Sequence, residues 1–315
     1  MNARSETIDN LSYMLLTAAY NEEHYIEGTI KSVVAQLLRP KMWVIVSDGS
    51  TDRTDEIVRQ YAMRYPFIRL VRREKDGSRE FASKVFALRA GFQMLTMDSA
   101  QFIGHLDADL WLDPCYFGNL LAKFGEDPEL GIAGGWCFET ASNQSWQPRP
   151  GNCTWSVPGA IQMFRRECYK DIGELLPIEY GGEDWYAEIR ARMCGWRVRS
   201  FPELEARHLR ASGTRASLLR YCYRAGFMDF ALGSHPLFEF AKVAKMSATP
   251  PYLLNALLRM LGFLAAHVSG KRMVPPACIA FLRREQLGRL LAFVLTGAST
   301  NTEGKSSFKK PLRTA

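Results

Sequence analysis

The chain has 315 residues, with 40 Lys and Arg against 33 Asp and Glu and a formal net charge of +7. Hydrophobic residues make up 47% and charged residues 23%, a globular balance that excludes a disordered or collagen-like chain. The charge is unevenly placed: residues 1–206 hold 23 basic and 29 acidic side chains, whereas residues 207–315 hold 17 and 4. A basic back half suggests an anionic partner, either nucleic acid or a membrane surface. The seven cysteines are scattered, with no CxxC or Cys/His cluster. That pattern argues against a disulfide framework or a zinc site and fits a reducing cytosol. The N-terminal stretch lacks the long apolar core of a secretory signal.

Tyr13–Ala19 (YMLLTAA) is a continuous apolar run, as expected for a strand buried on both faces. Ile26–Leu38 has apolar positions at helical spacing, and Pro40 bars its continuation. Trp43–Val46 is a second buried strand, running into Asp48-Gly49-Ser50-Thr51-Asp52. Ile57, Val58, Tyr61 and Ala62 mark the face of the next helix. Then come a strand at Phe67–Val71, a helix at Phe81–Leu95, and a strand at Phe102–Leu106 leading into Asp107-Ala108-Asp109. A helix at Pro114–Phe124 and a strand at Gly131–Gly135 follow. Alternation of this kind predicts an α/β fold, a mainly parallel sheet flanked by helices, with ligands at the C-terminal strand ends. Ala141–Cys153 reads as a surface loop, and Val157–Phe164 and Trp196–Phe201 as strands. Between those strands, Gly181-Gly182 is a turn before a helix through Met193. Beyond about residue 212 the pattern is that of amphipathic helices. The expected organisation is an α/β unit over 1–212, a basic helical extension over 213–299, and a disordered polar tail over 300–315.

Three acidic motifs follow strands or turns. Asp48-Gly49-Ser50-Thr51-Asp52 can bind a ribose or a base N–H, or can serve only as a turn and helix cap. Asp107-Ala108-Asp109 can share a hard cation that bridges to a diphosphate, or can be a charged loop. Glu183-Asp184 opens a helix, where the dipole favours carboxylates. An Asp there can also act as a general base.

In order and context these motifs resemble the family 2 glycosyltransferases, which have the GT-A fold, a Rossmann-like architecture. The resemblance covers about residues 13–210. It rests on Thr17-Ala18-Ala19-Tyr20-Asn21-Glu22-Glu23, on Ile30, Ser32, Val33 and Gln36, and on Val46 through Asp52. It continues through Lys84, Ala87, Arg89 and Gly91, the Asp107-Ala108-Asp109 triplet, Gly159-Ala160 with Arg165-Arg166, and Glu183-Asp184. The resemblance implies inverting, metal-dependent transfer of a sugar from a nucleotide diphosphate, UDP by default. It places Ala19, Tyr20, Glu22, Asp48, Lys84 and Asp107 around the nucleotide sugar. Asp109, Asp107 and His208 would hold Mg²⁺ or Mn²⁺. Gly159, Ala160 and Glu183 would lie on the acceptor side, and Asp184 would be the base. Three departures stand out: Ser83 where Gly is usual, Arg89 where Asn is usual, and no Q-x-x-R-W motif after Glu183-Asp184. Without that motif and without long membrane helices, the chain reads as a single-addition transferase.

In the extension, Leu253, Leu254, Leu257, Leu258, Leu261, Phe263 and Leu264 give Tyr252–Val268 a wide apolar face, with Asn255 and Arg259 on a narrow polar one. Such helices either pack on the catalytic unit or attach to an anionic membrane. The extension resembles, more loosely, those of bacterial transferases that build exopolysaccharide or cell-envelope glycans. Their acceptors are often polyprenyl-linked glycans, which implies a cytoplasmic protein at the inner face of the membrane. Two alternatives compete. A nucleic-acid-binding protein would suit the basic half but lacks a binding motif, so no nucleic-acid partner is expected. A sugar nucleotidyltransferase would need a Gly-rich basic loop where Tyr20-Asn21-Glu22-Glu23 stands.

Overall fold

A computed structural model describes residues 11–74, 82–96, 99–140, 144–210, 215–246 and 253–296. The tail expected over 300–315 lies outside the described residues. Among the described residues nine strands form one sheet: β1 (Tyr13–Ala19), β2 (Met42–Asp48), β3 (Ile68–Arg73), β4 (Phe102–Leu106), β5 (Leu110–Leu112), β6 (Leu130–Thr140), β7 (Trp146–Pro148), β8 (Ile161–Arg165) and β9 (Arg197–His208). Their order is β3-β2-β1-β4-β8-β6-β9-β5, with β7 paired to β6. Neighbours β3, β2, β1 and β4 are parallel. β8 is antiparallel to both β4 and β6, so β6 and its parallel neighbour β9 point the same way as β4.

The strands sort their side chains by the two-residue period of a pleated sheet. Tyr13, Leu15, Trp43 and Ile45 face one core, with α1 (Ile26–Val34), α2 (Thr54–Arg64) and α4 (Tyr116–Glu126). Met14, Leu16, Val44 and Val46 face the other, with α3 (Ala82–Phe92), α5 (Arg166–Ile172) and α6 (Glu183–Met193). Burial on both faces is why β1 and β2 read as unbroken apolar runs. The fully buried Trp43 donates its indole N–H to Thr17 Oγ1 at 2.9 Å, which satisfies the polar atom.

Several boundaries differ from expectation. α1 ends at Val34, well before Pro40, and Gln36 turns inward to donate to Asp113 O. The loop expected over Ala141–Cys153 contains β7. β9 runs seven residues past Phe201, because a register shift between Gly135 and Trp136 takes Pro202–Leu204 out of the ladder.

After β9 the described residues form four helices, α7 (Arg215–Leu232), α8 (Pro236–Met246), α9 (Leu253–Ser269) and α10 (Pro276–Thr296). They pack on the α/β unit: Ile178, Tyr186 and Ile189 share a core with Leu232, Cys278 and Leu282. α7 and α9 meet backbone to backbone. A Cβ on Gly226 would lie 2.2 Å from Arg259 O, and one on Gly262 would lie 1.9 Å from Tyr223 O. Gly262→Ala is therefore expected to push the helices apart. The expected cost is about 1–3 kcal/mol, the usual range for overpacking, read as a lower melting temperature of the full chain.

Candidate active site

The site is built where the parallel strands end. Asn21, with φ of 54°, turns the chain out of β1; Asn tolerates this left-handed conformation better than most residues. The turn is stitched to the loop after β2. Thr51 N donates to Asn21 Oδ1 at 2.8 Å, Glu22 N to Thr54 Oγ1 at 2.7 Å, and Glu23 N to Asp52 Oδ2 at 3.0 Å. Asp52 also accepts from Thr54 N at 3.0 Å, a bond within the turn that leads into α2. Asp48, at the end of β2, is buried and pairs with Arg73 Nη1 at 2.6 Å.

Lys84 reaches from α3 into the next strand end. Its Nζ donates to Asp107 Oδ1 at 2.7 Å and to Gly159 O at 3.2 Å, and lies 3.9 Å from Glu183. Asp107 N donates to Ala160 O at 2.8 Å, which joins β4 to the start of β8. Burial opposes the charge on Lys84, but Asp107, Glu183 and Asp184 outweigh it and hold the ammonium above the usual lysine range. Glu183 and Asp184 are both pushed upward, chiefly by burial, against the pull of Lys84. Gly181 and Gly182 have φ of 86° and 97°, a turn that delivers both carboxylates to the first turn of α6. Gly159 is needed for contact: a Cβ there would sit 2.3 Å from Asp184 Oδ2.

A second group lies at Asp109. Thr29 Oγ1 donates to Ala108 O at 2.8 Å and accepts from Leu110 N at 3.0 Å, which clamps the acidic turn between β4 and β5. Asp109 Oδ1 is 3.8 Å from His208 Nδ1, at the end of β9. Arg210 Nε donates to Asp109 Oδ2 at 3.0 Å, and its Nη2 pairs with Glu22. The same guanidinium lies 5.0 Å from the ring centre of Tyr25. Burial pushes Glu22 up to about 7; Arg210 opposes this, while Asp109 and Asp107 add to it.

The structure thus brings Lys84, Asp107, Gly159, Ala160, Glu183 and Asp184 together, and separately Glu22, Asp109 and His208. Ala19 is buried at the end of β1 and Tyr20 follows it, half-buried. Asp48 stands on the neighbouring strand with Arg73. The trio Asp107, Asp109 and His208 is not assembled as a ligand set. No group of three or more acidic, His or Cys residues is placed to hold a metal among the described residues. The reason is local: two cations, Lys84 and Arg210, occupy the carboxylates. His208 Nε2 is buried with no hydrogen-bond partner among the described residues. Arg210 and Arg73 were not anticipated, since nothing in a lone Arg after a strand names its partner.

Glu188 was also not anticipated. It is fully buried on α6, and its Oε1 accepts from Val157 N at 2.7 Å and Ser156 Oγ at 3.0 Å. These bonds fix the approach to Gly159. Burial raises its pKa from 4.5 to about 7 despite Arg192. A raised carboxyl favours folding while protonated, and that stability is lost as pH rises from about 4.5 through about 7. Glu188→Gln should therefore gain melting temperature relative to the parent across that window and hold the gain above it. A pH-independent difference would contradict this.

The sequence profile of Glycosyl transferase family 2 matches residues 15–178. EpsH of Bacillus subtilis (strain 168) is 29% identical over 118 residues, 38% of this chain and 32% of EpsH. The poly-β-1,6-N-acetyl-D-glucosamine synthase of Staphylococcus aureus (strain COL) is 29% identical over 130 residues, 41% of this chain and 29% of the synthase. The chain spans about a third of the length of these curated relatives. Two solved structures share the fold. The mannosyltransferase PcManGT from Pyrobaculum calidifontis, solved with GDP-Man and Mn²⁺, has a TM-score of 0.52 at 20% identity, covering 90% of this chain and 80% of that one. GalNAc-T7, solved with UDP, GalNAc and Mn²⁺, has a TM-score of 0.53 at 13% identity, covering 90% of this chain and 57% of that one.

Proposed function

Because the chain belongs to the family 2 glycosyltransferases, we propose that it moves one sugar from a nucleotide-diphosphate sugar to an acceptor hydroxyl, with inversion at the anomeric carbon. The observation that carries this reading is Lys84, whose ammonium ties Asp107 on the donor side to Glu183 beside Asp184. The acceptor oxygen forms a bond to the anomeric carbon, the bond from that carbon to the diphosphate oxygen breaks, and Asp184 takes the acceptor's proton. The raised pKa of Asp184 suits this role, since a base must bind the proton it removes. Gly159 leaves room for the carboxylate and Ala160 follows it toward the acceptor side.

Glu22, Asp48, Tyr20 and Ala19 border the proposed nucleotide pocket. Arg210, like Lys84, offers a cation suited to diphosphate oxygens. A hard divalent cation, Mg²⁺ or Mn²⁺, would be held by Asp109 and Asp107, with His208 beside Asp109, in exchange for the contacts those carboxylates make to Arg210 and Lys84. When bound, such an ion offsets negative charge on the departing diphosphate. Mn²⁺ in the two structural neighbours supports the choice. UDP is the default nucleotide. The acceptor is taken to be a polyprenyl-linked glycan in exopolysaccharide or cell-envelope synthesis, a reading supported by the similarity to a polysaccharide synthase.

The test is a donor panel with and without Mn²⁺, using a membrane lipid extract as acceptor. Asp184→Asn should lower turnover by about 10²–10⁴, the range for a lost general base, while nucleotide still binds. Near-parental turnover would remove Asp184 from the mechanism. Asp109→Ala should abolish stimulation by Mn²⁺, and an unchanged metal response would exclude Asp109 as a ligand.

A further inference from the structure

Helix α9 is inverted for a helix at a protein surface. Leu253, Leu254, Leu257, Leu261, Leu264 and Val268 are exposed, from 37% at Leu254 to 92% at Val268. At 3.6 residues per turn these six fall within one arc of about 100°, a single stripe along the helix. The opposite side, including Ala256, Gly262, Phe263 and Ala266, is buried. Arg259, the only Lys, Arg, Asp or Glu in α9, lies on that buried side and pairs with the fully buried Asp229 at 2.6 Å. A water-facing helix normally turns its charges out and its leucines in.

The charge around the stripe is equally one-sided. Asp229, Glu239 and Glu285 are the acidic residues within 207–296. Asp229 and Glu239 are buried, and both pair with Lys242. Glu285 pairs with Arg192 and Arg289. Every one of these carboxylates is thus engaged within the protein. Lys271, two residues past the end of α9, is exposed, as is Lys245 in the last turn of α8, the helix that precedes α9 in the chain.

We infer that the outer face of α9 docks on an anionic lipid bilayer, with its leucines in the headgroup–acyl boundary and Lys245 and Lys271 against lipid phosphates. Charge selects this occupant, because a second copy of the chain would bring the same cationic border to the contact. No helix among the described residues is long and apolar enough to cross a membrane, so α9 lies along the surface. The docking face is also fastened to the catalytic side. Lys242 of α8 stands 5.1 Å from the ring centre of Trp185, the residue after Asp184. Docking would fix the helix of Asp184 relative to the bilayer, as an acceptor carried on a lipid requires. The inference rests on the exposed face and not on the sugar chemistry.

The test is cosedimentation of the full chain with vesicles of phosphatidylcholine alone or mixed with phosphatidylglycerol, in the absence of sugar donor. The parent should bind the anionic vesicles, less tightly as salt rises. Leu257→Glu with Leu261→Glu should lower the partition coefficient by about tenfold or more. Lys245→Glu with Lys271→Glu should weaken binding to anionic vesicles and flatten the salt dependence. All four side chains are exposed, so the variants should keep the parent's circular dichroism and melting curve. A parent that stays in the supernatant, or leucine variants that bind like the parent, would overturn the inference. So would a lipid-free dimer that the leucine variants dissolve, since that assigns the stripe to a second copy.

Discussion

A partly buried ammonium among carboxylates is the constraint on which the site depends. Asp107, Glu183 and Asp184 come from two parts of the chain, and like charges so close together would repel and lose hydration. Lys84 offsets both costs while also donating to Gly159 O, so one side chain links α3, the end of β4, the start of β8 and the first turn of α6. Arg210 does the same for Glu22 and Asp109 at the neighbouring strand end. The acidic motifs are therefore held by cations already belonging to the protein. That explains why Asp107 and Asp109, one residue apart, face different partners.

The helical extension is joined to this arrangement. Its core is shared with α6, and a Cβ on Gly182, the residue before α6, would meet Leu232 and Met228 of α7 at 3.0 and 3.1 Å. The acidic front and the basic back described by the composition are thus adjoining layers. The front concentrates carboxylates at the strand ends. In the extension, Asp229 and Glu239 are bound inside, which leaves apolar and cationic groups outside.

Much of the fold was legible because burial on both faces writes itself as apolar runs, as in β1, β2 and β4. β5 and α5 are too short to show a period, and Pro202 with Glu203 read as the end of a strand that a bulge instead carries on to His208. The family resemblance was legible in the motifs themselves, and the family profile spans 15–178. What no local pattern could supply was pairing across the chain: Lys84 with Glu183, Arg73 with Asp48, Arg210 with Glu22. Orientation was equally hidden. Arg259 read as the wet face of α9, but a buried Asp229 on another helix draws it inward and turns the leucines out. Amphipathy locates two faces; only the partner decides which one is inside.

Whether Lys84 sets the charge state of the proposed base is measured by the pH dependence of sugar transfer in Lys84→Gln. Lys84 is the charge that pulls the proposed base downward against its burial. Removing it should lower turnover and move the acid limb of the pH–rate profile to higher pH, because Asp184 would then hold its proton longer. An acid limb that stays where it is in the parent would show that Lys84 does not set the charge state of the base, and that the site does not depend on its ammonium.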